Sequence, residues 1–524
     1  MRQPNFIIFM TDQQRADHLG CYGNPLVQTP HIDSLAQRGV RFERFYVSTP
    51  ICQPNRACLA TGQLPSVNGV RQNGIPMSLQ STTFADVLRG DGYNTGLIGK
   101  AHFQNVTDIP APARVPPGEG RLPDEGAALS NRAQRGGSAY DYEIRDRWAR
   151  SPEPVLHRPY YGFDHVRLCV GHGDQVEGHY SAWLRARHPA SDSLRGPANA
   201  LPSPNLSAPQ AWRTALPEAL YPTRFIEEEA CAFLEQQAPD GAPFALLVSF
   251  PDPHHPFTPP GRYWSMYDPD EVRLPASFRH PVDRIPGIPE SVLEAYRWGD
   301  RDNGSHWPFH IGERQARELI ALNYGSISMV DDAIGSILGC LERRGLDDDT
   351  VLLFTADHGD YMGDHGAMLK MGLHYQSVIR VPFIWYDPRR SDAGRVDDRL
   401  GSAIDLAPTL LQRAGLRRPV GMQGIDLFGD RRSDSILIED PGIRVFRDSD
   451  ARSRITTLVT ADWRLSLHEG EDWGELYNLR DDPDEMENLW HGPALLPVKA
   501  QLFEQLLQRI VELRDLSLSP TARA

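Results

Sequence analysis

Hydrophobic positions in this chain follow two patterns in turn. Short apolar runs, at residues 6–10, 93–98, 244–250 and 351–355, are rich in Ile, Leu, Val or Phe and bounded by turn formers, as strands buried on both faces are. Between the last two runs the period changes. Val330, Ile334, Ile337 and Leu341 recur at helical spacing, and Gly345 offers a stop. The alternation predicts an α/β fold with helices packed over a sheet.

The pattern weakens in two places. From about 104 to 222, Pro, Gly, Arg and Ser clusters (110–123, 185–209) interrupt a few ordered-looking pieces such as 163–170, which reads as an insertion serving as a lid, a rim or a homo-oligomer contact. After about 421, residues 455–459, 463–468 and 475–479 read as a meander of short strands, followed by a helix over 495–513. The expected organisation is a catalytic α/β domain over 1–420 and a smaller α+β domain over 421–524.

Composition narrows the setting. Of 524 residues, 40% are hydrophobic and 23% charged, so the chain is globular. A net charge of -15 repels polyanions and argues against nucleic acid or an anionic membrane as partner, and any anionic substrate needs a local positive pocket. The six cysteines show no paired spacing, and no apolar stretch is long enough for a membrane span. With no signal-peptide pattern at the start, these features predict a soluble protein of a reducing, cytoplasmic compartment.

In open α/β sheets the functional side chains gather beyond the carboxyl ends of the strands. The runs end in Thr11-Asp12-Gln13-Gln14, Gly99-Lys100-Ala101-His102, Pro251-Asp252-Pro253-His254-His255-Pro256 and Ala356-Asp357-His358-Gly359. Asp and His at strand ends are often mere turn formers, but four such segments on one edge can supply two carboxylates, an amide and an imidazole to one divalent cation, with Lys100 and His102 left for an anion. Asp360, Asp364 and His365 share the Asp357 loop and read as solvated or supporting groups. In Cys52-Gln53-Pro54-Asn55-Arg56, a short helix sets Cys52 near a helix amino terminus, where a thiol is acidified; an inert buried cysteine is the alternative.

Taken together, these segments resemble the sulfatase branch of the alkaline phosphatase superfamily, including its phosphonate monoester hydrolases. The resemblance implies a mixed sheet sandwiched by helices and a Cys52 oxidised to formylglycine by a converting enzyme. It implies Asp12, Gln13, Asp357, His358 and residue 52 as ligands of one cation, Ca²⁺ or Mn²⁺. Arg56 would orient the modified side chain, while Lys100, His102, His254 and Lys370 surround the transferred group, His254 as acid and His102 as base. Asn73 and His374 join them at the substrate. Asn55 replaces the usual serine at a variable position of the motif.

The implied reaction is hydrolysis of a small anionic sulfate ester, with side activity on phosphonate monoesters and phosphodiesters. Lys100 and His102 match the sulfatase pattern; Gln13, Asn73 and the Asp357-His358 pair match the phosphonate hydrolase pattern, which stands as the alternative. A metallophosphatase with another nucleophile and a silent anion- or metal-binding protein with unconverted Cys52 complete the set.

Overall fold

The computed structural model describes residues 2–109, 137–150, 156–301, 307–441 and 454–514. Nine strands form the main sheet: β1 (Asn5–Thr11), β2 (Val40–Tyr46), β3 (Asn94–Gly99), β4 (His165–Val170), β5 (Glu177–Gly178), β6 (Phe244–Ser249), β7 (Thr350–Ala356), β8 (Phe383–Tyr386) and β9 (Arg395–Ser402). Their order is β9-β2-β8-β7-β1-β6-β3-β4-β5. The four apolar runs are the central strands β7, β1, β6 and β3, all parallel, and the sheet is mixed because β8 runs antiparallel to both its neighbours.

Alternate residues of each central strand feed opposite faces. Ile7, Phe9, Leu246, Val248, Leu352 and Phe354 pack with helices α2 (Pro222–Glu235) and α3 (Glu313–Arg343). Phe6, Ile8, Leu97, Leu247 and Leu353 pack on the other side, where helix α1 (Cys52–Thr61) lies. Val330, Ile334, Ile337 and Leu341 form the buried stripe of α3, and Gly345 follows it at φ +63°.

Two expectations need correcting. Strands β4 and β5 fall within 104–222, so this stretch is in part the edge of the main sheet; half-buried His165 and Arg167 alternate with buried Val166 and Leu168, and that polar alternation concealed the strand. The 110–123 cluster lies outside the described residues. The cysteines are not all reduced either: Cys231 of α2 and Cys340 of α3 form a disulfide across 109 residues, a pairing between packed helices that linear spacing does not show.

The smaller sheet is antiparallel, β10 (Ser435–Asp440), β11 (Ile455–Thr460), β12 (Trp463–His468) and β13 (Gly474–Asn478) in that order, and adds β10 to the expected meander. Helix α4 (Leu496–Glu512) covers it through Leu502 and Leu506. No helix among the described residues is long and apolar enough to cross a membrane.

Candidate active site

Register builds the site. Met10 lies level with Ser249 and Thr355, Thr11 with Ala356, and Gly99 with Ser249, so β7, β1, β6 and β3 finish on one line. The next backbone groups continue the pairing: Asp357 N donates to Thr11 O at 3.1 Å, Asp12 N to Asp252 O at 3.2 Å and Lys100 N to Ser249 O at 2.8 Å. Asp12, Asp357, Lys100 and the His254 loop therefore meet at one edge.

Helix α1 brings the fifth segment. It begins at Cys52, and all ten of its residues are buried, so its polar side chains must find partners inside. Asn55 accepts from Ser48 N at 2.9 Å and donates to the Asp357 carbonyl. Arg56 donates through Nε to Asp357 Oδ2 at 2.7 Å and through Nη1 to Lys100 O and Ser249 Oγ, both at 2.8 Å. Among the described residues its Nη2 has no hydrogen-bond partner, and it lies 3.7 Å from Asp12 Oδ2.

Cys52 Sγ faces this cluster, 3.0 Å from His358 Nε2, 3.3 Å from Lys370 Nζ and 3.8 Å from Asp12 Oδ1. Ligand atoms of Asp12, Cys52, Asp357 and His358 all lie within 4.8 Å of one another. Gln13, held at φ 62°, sends its Oε1 to Lys370 Nζ at 2.7 Å, and the same ammonium is 3.0 Å from His358 Nε2 and 3.2 Å from His254 Nε2. Acceptors thus converge where positive charge is needed, and two carboxylates, an amide oxygen and an imidazole suit a divalent cation.

Electrostatics follow from this crowding. Burial pushes the Asp12 carboxyl up, but Lys100, His254, His172 and Arg56 outweigh it and hold it well below the usual carboxylate range. Burial and Asp12 raise the Cys52 thiol, while Lys370, His358 and Lys100 bring it below its ordinary value. Burial, Lys100 and Arg56 pull the His102 imidazole well below its ordinary value, and burial with His172, His255 and Lys370 does the same for His254.

The remaining expected residues stand further back. Asn73 Oδ1 accepts from Gln53 N at 3.1 Å and so caps α1. His374 is fully buried, with Nδ1 2.8 Å from Thr457 Oγ1 of the smaller sheet. Of the two expectations for the Asp357 loop, the supporting role holds for Asp360, which is buried and accepts from Met362 N, Leu369 N and the Gln13 amide, with burial raising its carboxyl to about 6, while Asp364 is partly buried and pairs with buried Arg15. Their turns fold back under the site, which proximity in sequence does not reveal. His365 is buried against Tyr375, ring centroids 3.9 Å apart.

One residue in the site was missed. His172 follows β4, with Nε2 2.6 Å from Lys100 Nζ and its ring stacked on His254 at 3.7 Å. The strand-end rule that found Lys100 also finds Gly171-His172 once 165–170 is read as a strand.

The chain is similar to known proteins. The Sulfatase profile matches residues 4–110 and 174–416, and the profile of the N-sulphoglucosamine sulphohydrolase C-terminal region matches 363–512. An uncharacterised sulfatase of Escherichia coli is 27% identical over 98% of this chain and 88% of its own, and an arylsulfatase of Clostridium perfringens 26% identical over 93% and 90%. The crystal structure of the phosphonate monoester hydrolase of Agrobacterium radiobacter superposes with a TM-score of 0.75 at 26% identity, covering 98% of this chain and 97% of that one. A profile that spans most of the chain and includes the ends of β1, β3, β6 and β7 settles its kinship: the chain belongs to the Sulfatase family.

Proposed function

We propose that this protein hydrolyses small sulfate monoesters through a formylglycine made from Cys52 and one divalent cation, Ca²⁺ or Mn²⁺, held by Asp12, Gln13, Asp357, His358 and residue 52. The family makes it a sulfuric ester hydrolase. The observation that carries the finer reading is Cys52 at the start of a buried helix, facing His358, Lys370 and Asp12 with Arg56 on the next turn. When bound, the cation supplies charge that stabilises the developing anion and lowers the pKa of a coordinated hydroxyl. Formylglycine, once made, supplies as its hydrate an oxygen nucleophile with a second hydroxyl through which the transferred group can be expelled.

The protein's own side chains do the rest. Arg56, Lys100 and Lys370 bring positive charge to a sulfate whose oxygens would otherwise repel attack. The free Arg56 Nη2 is a buried donor that the hydrated side chain or the sulfate can satisfy. Nδ1 of His254 lies against the His255 carbonyl, so Nε2 is the atom that protonates the departing oxygen, and the charge of a bound sulfate counters the neighbours that hold the imidazolium form down. His102, kept neutral by its surroundings, takes the proton that restores the aldehyde.

Phosphonate monoester and phosphodiester hydrolysis is the second reading, favoured by Gln13 in the ligand set and by the Agrobacterium enzyme's likeness. A sulfate or phosphonate monoester carries one negative charge and a phosphate monoester nearly two, so a site with one metal suits the first pair. The test compares kcat/KM for nitrophenyl sulfate, a phenyl phosphonate and nitrophenyl phosphate on one preparation. Dominance of the sulfate is expected; dominance of the phosphonate promotes the second reading, and dominance of the phosphate ends both. Mass spectrometry of the Cys52 peptide, from protein matured with a converting enzyme, checks conversion and separates the silent-protein alternative. A cytoplasmic setting belongs to the reading, whereas disulfides are rare there, so thiol titration for the Cys231–Cys340 bond is its check.

A further inference from the structure

His102 is unusual among the site's imidazoles. It is 4% exposed, and neither ring nitrogen has a hydrogen-bond partner among the described residues. Catalytic histidines are ordinarily oriented by a bond from the ring nitrogen that does not react. Here the ring has no such guide, so its direction must come from its backbone, which sits in the left-handed region at φ 52°.

That backbone is gripped by one carboxylate. The amides of His102, Phe103 and Gln104 all point at Glu143, at 2.6, 2.8 and 3.0 Å, and Tyr160 donates its hydroxyl to the same group at 2.6 Å. Three successive N–H groups closing on an anion form a nest, here filled by the protein's own side chain. Glu143 is 1% exposed, and all its hydrogen-bond donors are neutral. The Gln104 side chain laces the same two segments together, donating to Ala139 O at 3.1 Å and accepting from Tyr142 N at 3.0 Å.

We propose that Glu143 is a positioning residue for catalysis: by binding three consecutive amides of the loop after β3 it fixes the direction of the His102 imidazole. The proposal rests on His102 acting in turnover as read above. It gives part of the stretch 104–222 a role in the chemistry itself, since Glu143 lies inside it.

The test is a double-mutant cycle between Glu143→Gln and His102→Ala, on protein matured with a converting enzyme and normalised to the converted fraction of residue 52. Glutamine keeps the shape of the side chain but turns one acceptor into a donor facing donors. Glu143→Gln should lower kcat by about 10- to 100-fold with KM within about threefold, because a misdirected base costs rate and not binding. In the His102→Ala background the same change should cost less than about twofold, since the group it positions is gone. Equal fold-losses in both backgrounds, or no loss in the first, overturn the proposal as a purely local structural effect. Should Glu143→Gln fail to fold, Tyr160→Phe removes one of the four donors at nearly constant volume and takes its place in the cycle, with a smaller loss that again vanishes without His102. A fully active His102→Ala removes the premise and overturns the proposal with it, whereas an inactive Cys52→Ala beside an additive cycle sinks the clamp alone.

Discussion

Arg56 and Arg464 are the most deeply buried arginines among the described residues, and they are served differently. Arg464, in the smaller sheet, is wholly enclosed and uses every side: Nε on Glu485, Nη1 on Ser466 at 2.7 Å, Nη2 on Glu475 at 3.0 Å, with the Tyr477 ring 4.7 Å away. His468 closes the group on Glu475 at 3.3 Å. Arg56 is almost as fully enclosed, yet among the described residues its Nη2 has no hydrogen-bond partner and neither ring nitrogen of neighbouring His102 has one. A buried polar network with every partner present is complete in itself; one that leaves donors over has capacity for something that binds. Between these two clusters the difference runs with scaffold and site.

Substitutions can break that distinction. The largest effect belongs to Cys52→Ala, which should reduce sulfate ester hydrolysis by at least about 10⁴-fold while leaving the circular dichroism melt within a few degrees of wild type. A variant that retained most of the rate would take the nucleophile away from residue 52. Next comes Arg464→Met, which leaves Glu475 and Glu485 buried without their cation and should cost about 3–5 kcal/mol of stability in a urea titration. Its kcat per folded molecule should not change; a large fall would make the smaller sheet part of the site. Arg56→Lys keeps the charge but loses the fork that reaches Asp357, Lys100 and Ser249 together, and a drop of about 10²- to 10³-fold in kcat/KM is expected from losing one preorganised donor.

The smallest effect is a pH dependence. Burial raises the Glu475 carboxyl, but Arg464 and His468 hold it at about 2 in the fold, below the ordinary 4.5. Its contribution is therefore complete above the ordinary value and lost as pH falls toward the folded one, about 1 kcal/mol of it by pH 4. Glu485 is shifted the other way, raised to about 7 by burial with a contribution from the Glu475 charge, so wild type should be compared with Glu475→Gln below pH 5, where Glu485 is already protonated in the wild-type fold. The stability gap between the two should narrow steadily from pH 5 to pH 3; a constant gap would mean that Glu475 is not held ionised by Arg464.

What could be read in advance follows from how each contact is encoded. Asp12, Asp357, Lys100, His102 and His254 were legible because each sits within a few residues of a buried apolar run, and strand ends are where sheet geometry delivers side chains. Their mutual distances were not, because those depend on register. His172 was hidden behind a strand whose His165 and Arg167 imitate loop composition. Glu143 was invisible for a deeper reason: it works through backbone amides, which every residue has, so nothing in the spelling of 102–104 announces a partner near 143. Cys231 and Cys340 meet because α2 and α3 pack, a fact of tertiary structure alone.

The shared finishing line of β7, β1, β6 and β3 has a consequence for how such a protein can change over generations. Because side chains alternate between faces, inserting or deleting one residue within any of these strands would turn its terminal group away from the others, and no later substitution at that position could restore the meeting. The four central strands therefore act as a ruler for the site: a change in the count of residues along one of them displaces its terminal group unless a bulge absorbs it, whereas a change of length in the connections beyond them leaves that meeting in place.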